Sequence, residues 1–296
     1  MKIGIALSGG GMRGIAHAGV LKALEENDIK IDIIGGTSSG SLVASLYAMG
    51  YSPYYIYLLF QRYAKDMVSM DLSPIFNGVG ELFKNKKFQI VGLNNGKNIE
   101  KEYNNLALRK GVKTISDISM PIIIPSVDIN TAKEYIFTNC DIKNRIINKN
   151  QKENKEEIEE NYISNIPVGT AVRASSSFPG IFCPCEYEGH NFLDGGILNN
   201  IPVKEIKKQG ADIVIAVNFK ADEVNEESNI MDITMRTIDI MGNKISEKSL
   251  KKYSDFIITI ETDKMGLLDY TKLEVCYNKG YEMTNNVMNQ ILKLVK

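Results

Sequence analysis

The 296-residue chain has no tryptophan, only two histidines and only four cysteines. The shortage of histidine is the most restrictive. It leaves His17 and His190 as the sole imidazoles, so a histidine-rich metal centre is excluded, and a nucleophile that needs an imidazole base must use one of these two. Cys140, Cys183, Cys185 and Cys276 are too few and too scattered for a disulfide framework and read as reduced thiols. An excess of charge of either sign is also missing. Lys and Arg total 35 against 36 Asp and Glu, a net charge of -1, which gives no electrostatic case for nucleic acid or a strongly anionic membrane. No apolar run approaches the roughly 20 residues of a spanning helix. The N-terminal run is too short for a signal peptide. The expectation is a cytoplasmic protein whose membrane contact, if any, is peripheral.

What is present supports one large domain over residues 1–296. Hydrophobic residues make up 44% of the chain, enough for a substantial core. Residues 2–8 read as a strand carrying Ile3, Ile5 and Leu7. A glycine cluster follows, then a helical pattern from Arg13 to Asn27. Ile31 to Ile34 reads as a second strand, followed by a helix stopped by Gly50. Such alternation predicts an α/β fold with a largely parallel sheet. Ile122 to Ile129, Tyr135 to Phe137, Asp212 to Phe219 and Asp255 to Ile260 read as strands, and Thr271 to Val295 as a closing helix. Residues 66 to 120 carry weak signals of short helices and loops. Residues 141–165, dense in Lys, Glu and Asn, predict a polar surface insertion.

Two glycine-containing turns carry the chemistry. Gly36-Thr37-Ser38-Ser39-Gly40 fits G-x-S-x-G between an apolar strand and an apolar-faced helix, where a sharp turn lifts a serine hydroxyl above a sheet. The bland alternative is a plain turn with a serine cap. Gly9-Gly10-Gly11-Met12-Arg13-Gly14 follows the first strand, and consecutive glycines let backbone N–H groups converge on the oxyanion of an acyl-transfer intermediate. The same residues satisfy G-x-G-x-x-G, so a dinucleotide loop is the rival. That rival needs an acidic residue near the end of the second strand; Asp32 stands at its start. Arg13 suits a bracing role better than a head-group contact. Neither histidine is placed as a base: His17 lies in a packed helical stretch and His190 in a turn before a strand. Asp194-Gly195-Gly196 follows Phe192-Leu193 and puts a carboxylate at a strand end, with Asn199-Asn200-Ile201-Pro202 next in a position to orient that loop, although alone it reads as an ordinary turn.

Together these segments resemble the patatin-like phospholipase family. Residues 9–14 match its G-G-G-x-R-G loop, with His17 and Gly19 at the positions that follow. Residues 36–40 match its nucleophile turn. Ala174-Ser175-Ser176-Ser177-Phe178-Pro179 is similar to its A-S-x-x-x-P segment, and Asp194-Gly195-Gly196 to its D-G-G/A motif, with Asn200 and Pro202 beyond. The resemblance runs from about residue 2 to 219. It implies a three-layer α/β/α sandwich with a mainly parallel sheet. It also implies hydrolysis of acyl esters of phospholipids or similar lipids by a Ser38–Asp194 dyad.

On that reading Gly9, Gly10, Gly11 and Met12 form the oxyanion hole. Arg13, Gly14, Gly36, Gly40, Gly195 and Gly196 support the site, and no metal or cofactor is called for. A free aspartate titrates near pH 3.9 and is a weak base, so the dyad needs a partly desolvated carboxylate. Residues 51–100 stand where a lid would, and the apolar segment Tyr51 to Tyr63 is either lid or core. The alternatives are a non-catalytic lipid-binding module on the same fold and a dinucleotide-binding enzyme.

Overall fold

The computed structural model describes residues 1–68, 92–140, 161–220, 230–262, 265–266 and 269–295. Its centre is strand β1, Ile3–Leu7, all five residues of which are buried. A strand covered on both faces needs apolar residues at every position, and its two faces then belong to two cores. That division is visible throughout the sheet. Ile5 and Leu7 of β1, Ile34 of β2 (Ile33–Gly36), Ile122 and Ile124 of β3 (Ile122–Asp128), and Ile215 and Val217 of β8 (Ile213–Phe219) join one cluster. Their neighbours Ala6, Ile33, Ile123, Val214 and Ala216 join the other.

The remaining strands are β4 (Lys133–Thr138), β5 (Tyr162–Ile163), β6 (Cys185–Tyr187), β7 (His190–Asp194) and β9 (Phe256–Ile260). The sheet order is β5-β4-β3-β2-β1-β8-β9, with β7 also pairing β3 and β6. Pairs β1–β2, β1–β8, β2–β3, β4–β5 and β8–β9 are parallel; β3–β4, β3–β7 and β6–β7 are antiparallel. The larger core holds helices α1 (Ala16–Glu26), α2 (Ser39–Ala48), α3 (Pro53–Val68), α4 (Lys97–Arg109), α5 (Val168–Ser175) and α8 (Leu273–Val295). Against the other face lie α6 (Val203–Lys208) and α7 (Ile230–Tyr253). This is a three-layer α/β/α arrangement with a mainly parallel sheet.

Several expectations shift. The second strand starts two residues late and takes in Gly35 and Gly36; α6 packs tightly against this part of the sheet, where a Cβ at Gly35 would stand 3.0 Å from Ile206 Cδ1 and one at Gly4 2.3 Å from Ile206 Cγ2. Helix α4 emerges where only weak signals stood, burying Ile99, Tyr103, Leu106 and Ala107 at helical spacing. The polar segment 141–165 is not wholly an insertion. Tyr162 and Ile163 pair with β4, and Tyr162 Oη donates to Glu205 Oε2 at 2.7 Å; residues 141–160 lie outside the described residues, as do 69–91 of the lid-like region. Helix α7 has no counterpart in the sequence reading.

Segment Tyr51 to Tyr63 is neither all core nor all lid. Ile56, Tyr57, Leu59 and Phe60 are buried, whereas Tyr54, Tyr55 and Leu58 are exposed. Between α2, α3 and α4, Leu46, Phe60, Tyr63, Tyr103 and Leu106 line a cavity of about 160 Å³.

Helices α1 and α8 cross at backbone contact: a Cβ at Gly19 would fall 2.1 Å from Tyr277 O, and one at Gly280 2.0 Å from Ala16 O. Neither oxygen can swing away as a side-chain tip would. Gly280→Ala is therefore expected to destabilise the fold by roughly 1–3 kcal/mol through overpacking. Chemical denaturation checks this; an unchanged midpoint would show that the helices can separate at no cost.

Candidate active site

Strands β2 and β7 share one lane of the sheet. β2 occupies the edge of β3 at Ile34↔Ile122 and Gly35↔Ile123, and β7 takes over that edge from Ser126↔Asp194 to Asp128↔Phe192. β2 runs parallel to β3 and β7 antiparallel, so their C-terminal ends face each other. The gap between Ile123 and Ser126 is about 10 Å of extended strand. The chain leaves β2 into this gap as Thr37-Ser38 and leaves β7 as Gly195-Gly196. The sheet thus brings Ser38 and Asp194 to one place from positions far apart in sequence.

Ser38 holds φ 54° and ψ -124°, a left-handed conformation that costs a non-glycine residue on the order of 1–3 kcal/mol. Neighbouring bonds hold it there. Its N–H donates to Ser175 Oγ at 3.1 Å, and its carbonyl accepts from Ser41 Oγ at 2.6 Å and Ser41 N at 2.8 Å. Thr37 Oγ1 donates to Asn199 O at 2.9 Å. The flanking glycines are sterically required. A Cβ at Gly36 would sit 2.2 Å from Gly40 O, one at Gly40 2.4 Å from Leu7 O, and one at Gly14 2.4 Å from Ser39 Oγ. The α2 N-terminus begins at Ser39, so its positive dipole end lies beside the Ser38 hydroxyl.

The first glycine loop is braced from behind. The Gly10 carbonyl accepts from Arg13 Nε at 3.1 Å and the Ser8 carbonyl from His17 Nε2 at 2.8 Å. In a trans peptide the carbonyl and the following N–H point opposite ways. Arg13 therefore turns the Gly11 N–H away from itself, and His17 does the same to the Gly9 N–H. Phe219 touches both braces, 5.4 Å from the Arg13 guanidinium and 4.9 Å from the His17 ring. A Cβ at Gly10 would strike the Phe219 ring at 2.6 Å. Arg13 and Met12 are buried, and the Arg13 carbonyl accepts from Cys276 Sγ of α8 at 3.4 Å.

One expectation needs correcting. The Gly9 N–H is not an oxyanion donor, because it already donates to Asn200 Oδ1 at 3.1 Å and Asn200 O at 3.2 Å. Gly10, Gly11 and Met12 remain as donor candidates. Ser175 escaped the sequence reading as a site residue, and Asn200 was expected only to help orient the Asp194 loop, not to hold Gly9.

Asp194 is buried and caps the 3₁₀ turn Gly195–Ile197, its Oδ1 accepting from Gly196 N at 2.7 Å. Its own N–H donates to Ser177 O at 3.0 Å. A Cβ at Gly195 would lie 2.3 Å from Pro125 O, and one at Gly196 3.0 Å from Asp194 Oδ1. Gly195 is thus demanded by close backbone approach, and Gly196 stands in tight contact with the Asp194 side chain.

The other candidates lie elsewhere. His190 stands at the far end of β7, its Nδ1 3.3 Å from Asp128 Oδ2. His17 is fully buried, and desolvation lowers its pKa to about 4 despite the Ser8 bond. Asp32 Oδ2 accepts from Ile3 N at 2.9 Å, at the opposite end of β1 from the glycine loop, so it is not placed as the acidic partner of a dinucleotide there. Burial pushes the Cys185 thiol up to about 11, so it stays protonated. Among the described residues no group of His, Cys, Asp and Glu could hold a metal ion, and no helix is long and apolar enough to cross a membrane.

His17 gives a pH prediction. Because Nε2 donates to Ser8 O, the neutral ring carries no proton on Nδ1, which is buried without a hydrogen-bond partner. A proton there would meet no acceptor. The folded-state pKa of about 4 lies below the ordinary 6.5, so the unfolded chain binds the extra proton and stability falls as pH drops from 6.5 to 4. The loss is about 3 kcal/mol. His17→Gln should flatten that part of the curve; the same acid slope in both proteins would place the titrating group elsewhere.

A model of the patatin-like phospholipase family matches residues 5–206. Lysophospholipase NTE1 of Kluyveromyces lactis is 33% identical over 321 residues, covering 98% of this chain and 19% of the relative. Its namesake from Scheffersomyces stipitis is 28% identical, covering 97% and 18%. The chain spans about a fifth of the length of these curated relatives. Among solved structures, VipD from Legionella pneumophila aligns over 98% of this chain and 67% of its own at 14% identity, TM-score 0.49. The ExoU–SpcU complex of Pseudomonas aeruginosa aligns over 99% and 51% at 18% identity, also TM-score 0.49. The family match takes in the glycine loop, the Ser38 turn and Asp194, and the chain belongs to the patatin-like phospholipase family.

Proposed function

We propose that the chain hydrolyses carboxylic esters of lipids through a Ser38–Asp194 dyad. The observation that carries this is the shared lane, in which the strained Ser38 turn and the buried Asp194 emerge from opposed strand ends. In the first half-reaction Ser38 Oγ adds to the acyl carbonyl carbon and its proton passes to Asp194. The carbonyl π electrons move onto oxygen, which the N–H groups of Gly11, Gly10 and Met12 receive on this reading. Collapse expels the alcohol, which recovers the proton from Asp194, and leaves an acyl ester on Ser38. In the second half-reaction Asp194 takes a proton from water, the hydroxide adds to the acyl carbon, and Ser38 leaves with that proton. The fatty acid is released and the dyad restored.

The name of the curated relatives, lysophospholipase, supports a monoacyl phospholipid as substrate. A cytoplasmic location and peripheral contact with lipid belong to the same proposal. None of the four cysteines is in a disulfide, which fits a reducing compartment. Tyr54, Tyr55 and Leu58 are exposed on the helix that lines the α2–α3–α4 cavity, offering apolar surface to a lipid aggregate.

The decisive test is labelling by a fluorophosphonate ester, with the modified peptide located by mass spectrometry. Label on Ser38 is expected, and Ser38→Ala should lose both label and ester hydrolysis while staying folded. Asp194→Asn should abolish hydrolysis almost completely, since the amide matches the carboxylate in shape but cannot accept the serine proton. His190→Asn and His17→Gln should each keep most activity once any stability loss is allowed for. A folded double histidine variant as inactive as Ser38→Ala would remove the dyad.

A second expectation concerns aggregated substrate. Tyr54→Ser with Leu58→Ser should lower the rate on micellar lipid several-fold and leave a short soluble nitrophenyl ester unaffected. Equal loss on both would show that these side chains serve the fold rather than the lipid surface.

A further inference from the structure

The two halves of the site are joined by one side chain. Asn200 Oδ1 accepts from Gly9 N at 3.1 Å. A Cβ at Gly9 would lie 2.6 Å from that oxygen and 3.2 Å from Ser38 Cβ, so the loop, the serine and Asn200 are packed together. A Cβ at Gly196 would lie 3.1 Å from the same oxygen and 3.0 Å from Asp194 Oδ1. Asn200 Oδ1 therefore stands between the glycine that flanks the nucleophile and the turn that holds the carboxylate.

An asparagine amide has an acceptor end and a donor end that exchange on a half-turn. Turned the wrong way, its NH₂ would face the Gly9 N–H, donor against donor, and the loop would lose its anchor. The side chain's own donor sets the orientation: Asn200 Nδ2 donates to Asn243 Oδ1 at 3.0 Å. The same helix fixes the Asn200 backbone, whose N–H donates to Ser246 Oγ at 3.1 Å. Gly242 brings the helix close enough for both, since a Cβ there would fall 2.3 Å from Gly196 O. Gly242, Asn243 and Ser246 share one face of α7, which lies wholly beyond the family match at residues 5–206.

We infer that Asn243 is a positioning residue of the hydrolase site, acting through Asn200 to hold the glycine loop and the Asp194 turn in register with Ser38. This rests on the dyad reading above. The role requires an acceptor at position 243 and touches no substrate, so its loss should appear in the chemical step and not in substrate binding.

The test compares Asn243→Ala, Asn243→Asp and Ser246→Ala in the full chain. Thermal melting and circular dichroism confirm folding. The readouts are the rate of fluorophosphonate labelling at Ser38 and the kcat and KM for a soluble ester. Asn243→Ala should lower kcat and the labelling rate about 10- to 100-fold, the scale on which small misplacements of reacting groups act, with KM within about twofold. Asn243→Asp keeps an acceptor and should recover most of the rate. Ser246→Ala, at a site away from the amide pair, should lower kcat in the same sense and covers the case in which Asn243→Ala fails to fold. Wild-type rates in folded Asn243→Ala, or no recovery in folded Asn243→Asp, would overturn the assignment. Absence of any label on Ser38 in the unaltered protein would instead sink the hydrolase reading, and this inference with it.

Discussion

The structure depends on how one edge of β3 is shared. An edge that β2 occupied to its end would leave no place for β7, and Asp194 could not face Ser38. β2 stops at Gly36, and β7 enters the same lane from the other direction. The hydrogen-bond ladder fixes both strands to a common ruler, so the opening between them is set by backbone geometry. The Ser38 and Asp194 turns are thus each anchored at a strand end of the central sheet.

Around that opening the chain uses backbone carbonyls as handles. Arg13 holds the Gly10 carbonyl, His17 the Ser8 carbonyl and Thr37 the Asn199 carbonyl. Each handle turns an N–H or a side chain on the opposite side of its peptide. Phe219, from the end of β8, seals the two braces of the first loop, and α8 closes behind them through Cys276. A buried arginine and a buried neutral histidine are costly unless hydrogen-bonded, and their bonds here go to the loop that the chemistry would use.

The sequence showed the frame and the two chemical turns because both rest on local pattern. Alternation in residues 2–8 is a period-2 signal, the unbroken apolar run at 213–217 marks a strand buried on both faces, and glycines at 36 and 40 mark a turn with no room for Cβ atoms. What depended on distant pairing was hidden. Nothing near Asp194 announces that its strand runs antiparallel and continues the lane of β2. Nothing near Asn200 announces a bond to Gly9, and Gly9 itself was taken for a donor to substrate. Helix α7 was invisible for a different reason: among its described side chains Ile233, Ile240, Met241 and Ile245 are exposed, whereas Gly242, Ser246 and Leu250 are buried, so this part of the helix does not bury an apolar stripe of the kind that periodicity detects.

The distance along the chain between the parts of the site has a consequence for when it exists. The Gly9 N–H is held by a residue 191 positions later, Gly10 packs on Phe219, and β1 itself is flanked by β8. Ser41 holds the Ser38 carbonyl from three residues away, but Ser175, Asn200 and Phe219, which hold its N–H and the loop beside it, all lie more than 130 positions further along the chain. Contacts this far apart form late in folding, because long loops must close first. The surroundings of Ser38 are therefore completed only when the distant strands β7 and β8 dock on β3 and β1.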